Sequence, residues 1–191
     1  FGALDVEEDW ACEARRYYFN IVGKYGAPVQ TLLKKASALD IKTICPLHGP
    51  VLSDNLGYYL DLYNTWSSYQ PESKGVFIAY ASIHGNTAYA AEQFAEMLRN
   101  KGVENVVITD LSRCDIAEAV EDAFRYDRMV LAAASYDAGV FPIMQDFLHH
   151  LQAKAFQNRT VGLIENGSWA PTAAKTMRNI LETMKNITIV E

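Results

Sequence analysis

The chain has 191 residues, half of them hydrophobic and 21% charged, a globular composition with room for one large domain or two small ones. Eight Phe, eleven Tyr and three Trp argue against general disorder. Seventeen basic against twenty-three acidic side chains leave a formal charge of −6, so the basic footprint of a nucleic-acid binder is missing, and no run of eighteen apolar residues is present to span a bilayer. Acids follow Phe1 where a signal peptide would carry basic residues. Cys12, Cys45 and Cys114 are far apart and odd in number, which fits a reducing cytosol, so a cytoplasmic location is expected. The sequence starts at Phe1 rather than Met, which leads to the expectation of an incomplete gene product.

In chain order, Glu7, Glu8 and Asp9 read as the acidic start of a helix. Trp10, Ala14, Tyr17, Tyr18 and Ile21 recur at helical spacing, Gly23 and Gly26 break that helix, and Pro28 restarts one through Leu39. Ile41 to Pro46 reads as a short strand ending in the loop Leu47-His48-Gly49-Pro50. Leu56, Tyr59, Leu60, Tyr63 and Trp66 form the apolar stripe of a third helix. A lone strand leaves its ladder groups unpaired, so residues 1–70 read as the tail of a larger α/β domain whose other strands lie upstream.

Gln70 to Lys74 is polar and carries Pro71, and residues 71–75 read as a linker. Strands at Val76–Ala81, Val106–Thr109, Met129–Ala134, Val161–Glu165 and Ile187–Val190 then alternate with helices at Ala88–Lys101, Ile116–Phe124, Pro142–Phe156 and Pro171–Lys185. That alternation predicts an α/β fold, a doubly wound five-stranded parallel sheet over residues 76–191. The continuous apolar runs VFIAYA and VLAAA fit strands buried on both faces. No helix follows the fifth strand, which leads to the expectation that the last covering helix is missing and the chain is truncated at both ends.

Three loops carry the candidate chemistry. Ser82-Ile83-His84-Gly85-Asn86-Thr87 joins the first strand of the sheet to a helix N-terminus, where free backbone N–H groups, the helix dipole, two hydroxyls and an amide would hold a phosphate. The same residues would also serve as a purely local helix cap. Neither G-x-x-x-x-G-K-[ST] nor G-x-G-x-x-G is present. No acidic pair ends the strand to bind magnesium, which leaves a phosphate monoester as the best ligand. Ser135-Tyr136-Asp137-Ala138-Gly139 and Asn166-Gly167-Ser168-Trp169-Ala170 follow the third and fourth strands. Loops at the carboxyl ends of strands one and three flank the switch point where such sheets bind ligands, and the loops after strands three and four each offer an aromatic, Tyr136 or Trp169, to stack on a planar ring or simply to pack. One phosphate loop with two aromatic-bearing loops describes a flavin mononucleotide (FMN) site.

SIHGNT within Gly75 to Glu191 resembles the flavodoxin-like FMN domain, and its pairing with ICPLHGPV upstream resembles the flavodiiron proteins, also called A-type flavoproteins. The resemblance covers essentially the whole chain. It implies the C-terminal part of a metallo-β-lactamase-like αββα domain over 1–70, followed by a flavodoxin-like domain. It also implies FMN and a diiron centre as cofactors, reduction of dioxygen or nitric oxide, a rubredoxin-like electron donor and a head-to-tail homodimer. In the family the His of the second motif is the last diiron ligand, which maps onto His48; imidazole suits iron. Cys45 lacks a second pair to complete a zinc site.

The chain departs from the family in two places. The His-x-Glu-x-Asp-His ligand run is absent, and the family's bridging Asp would fall just before Phe1. The second flavin loop, usually Pro-Thr followed by two Asn, reads Ala134-Ser135-Tyr136-Asp137-Ala138, and an acid near the ring would disfavour the negative charge of a reduced flavin. His149 and His150 read as a solvated helix face. Two other readings stay open: a flavodoxin-like electron-transfer module without a working metal centre, and a metallohydrolase with a non-flavin ligand.

Overall fold

The structure, a computed structural model, describes residues 10–190; Glu7 to Asp9 lie outside the described residues. Helix α1 (Ala11–Tyr17) runs on through a π-helical turn at Tyr18–Val22 and a 3-10 turn at Gly23–Tyr25 into α2 (Gly26–Ala36). Gly23 and Gly26 therefore do not break the helix, and α2 ends before Leu39. Their role is close approach: a Cβ at Gly26 would lie 2.4 Å from the Ser67 carbonyl oxygen of α3 (Leu56–Ser67). The expected strand at Ile41–Pro46 is also corrected. It reduces to one antiparallel bridge, Ile44 to Leu52, while Ile41, Ile44 and Pro46 line an apolar cavity of about 380 Å³ beside α1, α2 and α3.

Five strands run parallel, as expected. Strands β1 (Ser73–Ala81), β2 (Val106–Asp110), β3 (Tyr126–Tyr136), β5 (Arg159–Asn166) and β6 (Ile187–Val190) lie parallel in the order β2-β1-β3-β5-β6. Ser73, Lys74 and Gly75, read as linker, are the start of β1. A short β4 (Gly139–Val140) turns back antiparallel on β3, pairing Ser135 with Val140 and Tyr136 with Gly139. The hairpin was illegible because its turn residues, Asp137 and Ala138, both take positive φ, 46° and 55°, where Asn-Gly or Asp-Gly is the usual signal.

Helices α5 (Ile116–Arg125), α6 (Pro142–Ala153) and α7 (Ala173–Leu181) cover one face of the sheet. Asp115 caps α5 by accepting from the Ala117 N–H at 2.9 Å, and α5 passes into β3 with no loop between them. Phe77, Met129 and Leu131 point into this face and are fully buried against Phe124, Phe147 and Leu148. Burial of each aromatic here contributes a few kcal/mol, since Phe→Ala in a core costs about 3–5 kcal/mol. The other face is covered by α4 (Asn86–Asn100), over Val76, Ile78, Val130 and Ala132. Beside α4 an apolar groove of about 310 Å³ is left between Phe94, Leu98 and β5 and β6.

Residues 10–70 share the core of the sheet's helical face. Tyr18, Phe19 and Trp66 are buried in the same cluster as Phe124, with the Phe19 and Phe124 rings stacked at 4.1 Å between centroids. A buried polar network crosses the same junction. Arg15 donates to both oxygens of Glu72, each at 2.7 Å, and to Glu121 at 2.5 Å, and Trp66 Nε1 donates to Glu72 at 2.7 Å. Burial disfavours the Arg15 charge, but Glu72 and Glu121 outweigh it and hold the guanidinium above its ordinary range. Arg159 makes a second tie, donating to the carbonyls of Tyr69, Phe124 and Tyr126. No carboxylate touches it among the described residues, so burial lowers its pKa to about 10, which leaves it charged at neutral pH.

Candidate functional site

The chain reaches β2 on one side of β1 and β3 on the other. The order therefore reverses between β1 and β3, and a crevice opens past their carboxyl ends. There Ser82, Ile83, His84, Asn86, Thr87, Ser135, Asn166, Gly167 and Ser168 come together with Ala134 around a polar cavity of about 250 Å³. All three loops singled out in the sequence contribute to it. Gly85, Tyr136, Asp137, Ala138, Gly139 and Trp169 are not among the lining residues. Tyr136 is 45% exposed and Trp169 96% exposed, and the Tyr136 ring lies edge-on to Phe141 at 5.8 Å.

The first loop is shaped for an anion. Gly85 stands before the first turn of α4 with φ 88°, a left-handed conformation that L side chains rarely adopt. No side chain caps that turn, so its N–H groups lack a side-chain acceptor at the positive end of a fifteen-residue helix, and its first residues, Asn86 and Thr87, line the cavity. The Ser82 hydroxyl accepts from the Gly85 N–H at 3.0 Å, which fixes the loop and leaves the Ser82 O–H to donate. Thr87 is buried with its residue lining the cavity. Hydroxyls, an amide and uncapped N–H groups form a donor set that fits a phosphate monoester.

The second and third loops brace each other. Ser135 Oγ accepts from the backbone N–H groups of Thr172 at 2.8 Å and Ala173 at 3.2 Å, so it serves as the cap of α7. Thr172 Oγ1 donates to the Gly139 carbonyl at 2.9 Å, and Glu165 accepts from the Ala174 N–H at 3.0 Å. A Cβ on Gly167 would lie 3.0 Å from Ser135 Oγ and 3.1 Å from Pro171 Cα. Thr172 and Glu165 are the organising residues that the sequence reading missed. Pro171-Thr172 ahead of an apolar stripe was the available signal, as a helix-start pattern.

His48 lies apart from this cavity. Its ring stacks on Tyr17 at 5.4 Å with 28° between planes, and it lines the apolar cavity beside α1, α2 and α3. Among the described residues no three His, Cys, Asp or Glu side chains gather in a metal-binding group. The described residues therefore do not by themselves make a metal site. Asp146 and His150 approach to 3.6 Å on α6, one helical turn apart. No helix among the described residues is long and apolar enough to cross a membrane.

The family model described as "Flavodoxin domain" matches residues 77–190. A curated relative, "Putative diflavin flavoprotein A 4" of Synechocystis sp., is 28% identical over 188 residues, which cover 95% of this chain and 31% of the relative. Among solved structures, the rubredoxin oxygen:oxidoreductase of Desulfovibrio gigas superposes with a TM-score of 0.83 at 21% identity, over 94% of this chain and 46% of that one. The flavodiiron protein of Giardia intestinalis gives 0.83 at 20% identity, over 96% and 50%. The chain spans less than half the length of the curated relatives it matches, at 43% and 31% for two of them.

Proposed function

Because the chain belongs to the flavodoxin domain family, we propose that its three-loop cavity binds FMN and that the chain acts in an oxidoreductase of the flavodiiron kind. The observation that carries this reading is the cavity at the β1/β3 switch point, with its uncapped helix N-terminus and hydroxyl donors. Bound flavin supplies one- and two-electron redox chemistry. The uncapped N–H groups of α4, the Ser82 and Thr87 hydroxyls and the Asn86 amide hold the phosphate. Ala134 and Gly167 keep the cavity wall thin, so that backbone reaches the ligand. Tyr136 and Trp169, exposed aromatics that adjoin the lining residues Ser135 and Ser168 in sequence, would shield a ring from water. Asp137, on the hairpin turn next to Tyr136, opposes negative charge on that ring.

The fuller reading adds reduction of dioxygen or nitric oxide, a small redox protein such as a rubredoxin as electron donor, and a head-to-tail homodimer. In it His48 is one donor to a diiron centre completed by groups outside the described residues. The resemblance of ICPLHGPV to the flavodiiron motif supports the His48 assignment. A second reading, an FMN electron-transfer module without a metal centre, is favoured by the lack of a metal-binding cluster among the described residues.

The test begins with the purified chain freed of flavin. FMN added in excess and removed by gel filtration should leave close to one flavin per chain; a chain that retains none refutes the reading. Iron analysis of the full-length protein then separates the two versions, since the module would carry flavin without iron.

A further inference from the structure

The phosphate of FMN is a dianion near neutral pH, and of the residues lining the cavity only His84 has a side chain able to carry a positive charge. It is exposed to solvent, sits directly before Gly85, and shares the cavity wall with Ser82, Asn86 and Thr87. The charged or titratable groups on the surrounding elements are otherwise placed. Asp110 at the end of β2 accepts from the Ser112 N–H and faces Arg113. Tyr80 of β1 packs on the α4 side of the sheet. Tyr89 and Glu92 lie on α4, Tyr136 and Asp137 belong to the hairpin, Glu165 is held by the Ala174 N–H, and Lys175 lies in the first turn of α7. None of these lines the cavity.

Resting on the FMN reading, we infer that His84 is the cationic group this cavity offers the phosphate, so that the chain selects FMN over riboflavin most strongly when His84 is protonated. A phosphate beside an imidazole favours the imidazolium, so binding draws a proton onto His84 and raises its affinity for that proton. The sign follows from linkage. A group whose proton affinity rises on binding contributes most while it is protonated and loses that contribution as pH rises through the bound value. Below about pH 6 the phosphate itself begins to take up a proton, so the contribution of His84 is read above that value, where affinity declines as pH rises. A charge-assisted hydrogen bond at an exposed position corresponds to roughly three- to tenfold in affinity.

The test is a fluorescence titration of the flavin-free chain with FMN and with riboflavin at pH 6.5 and 8.5. For the unmodified chain, Kd for FMN should rise about three- to tenfold at the higher pH while riboflavin binding stays level. His84→Gln should flatten the FMN response, and His84→Lys, still charged at pH 8.5, should keep FMN tight at both values. Parallel loss in the unmodified chain and His84→Gln, or an equal loss for riboflavin, overturns the inference. Tight FMN binding that ignores pH overturns this inference alone, whereas no FMN binding at either pH removes the FMN reading and the inference together.

Discussion

Ser135 Oγ lies 2.8 Å from the Thr172 backbone nitrogen, so one hydroxyl joins the end of β3 to the start of α7. That bond fixes the spacing between the second and third loops of the cavity, with the Ala173 N–H as a second donor at 3.2 Å. Replacing Ser135 with Ala removes a helix cap, which costs about 0.5–2 kcal/mol. Thermal unfolding should fall by roughly 2–4 °C per kcal/mol in a chain of this size, and FMN affinity should fall with it. Unchanged melting would mean that the hydroxyl does not cap α7 in solution.

Gly85 has open space around its missing Cβ, so Gly85→Ala adds no clash. Its cost is conformational, about 1–2 kcal/mol for holding a left-handed residue at φ 88°. If the loop instead relaxes to a more ordinary φ, the N–H groups of α4 swing out of line and FMN binding weakens severalfold. Gly85→Asn should recover part of either loss, because Asn tolerates the left-handed region. Calorimetric melting and flavin titration on both variants distinguish the two routes, and an Ala variant equal to the parent in both measurements contradicts the loop geometry.

Arg15→Leu leaves Glu121, buried, without its ion-pair partner. Loss of one partner from a buried pair costs about 3–5 kcal/mol, readable as a lower urea midpoint with an unchanged slope. The pH dependence has a definite sign. Burial already raises the Glu121 carboxyl above the ordinary carboxylate range, against the opposing pull of Arg15. A raised folded-state value means that protonation favours the folded chain, so the penalty in Arg15→Leu is greatest at neutral pH and shrinks as pH falls through that raised value. A penalty that grows in acid would contradict this assignment.

His48 shares no lining residue with the flavin cavity. In full-length protein produced under iron-replete conditions, His48→Ala should therefore lower iron content while leaving flavin content unchanged. Full iron in the variant would sink the ligand assignment, and iron-free parent protein would favour the electron-transfer module.

Much of the sheet was legible because its strands are continuous apolar runs, and VFIAYA or VLAAA between helix-length amphipathic segments permits few alternatives. The candidate site was legible for a local reason: Gly-Asn-Thr at a strand-to-helix junction leaves donors that must face something. Features set by contacts distant in sequence escaped. Ile41 to Pro46 has the composition of a strand, yet those side chains line a cavity and the backbone pairs once, between Ile44 and Leu52. Gly26 looks like a helix breaker until the Ser67 carbonyl is seen against it. Ser135 read as a ligand-facing residue, and only the position of Thr172 shows that its hydroxyl is engaged by α7.

The stack of Phe19 on Phe124 bears on how this chain could be cut or recombined. A break at the start of β1 would look clean in the sequence, yet it would uncover Phe124 and leave Glu121 facing solvent without Arg15. Anyone grafting the flavin-binding half onto another scaffold inherits a sticky aromatic patch and an orphaned acid on α5. A practical excision carries Ala11 to Trp66 along with it, or replaces Phe124 by a polar residue before the knife is used.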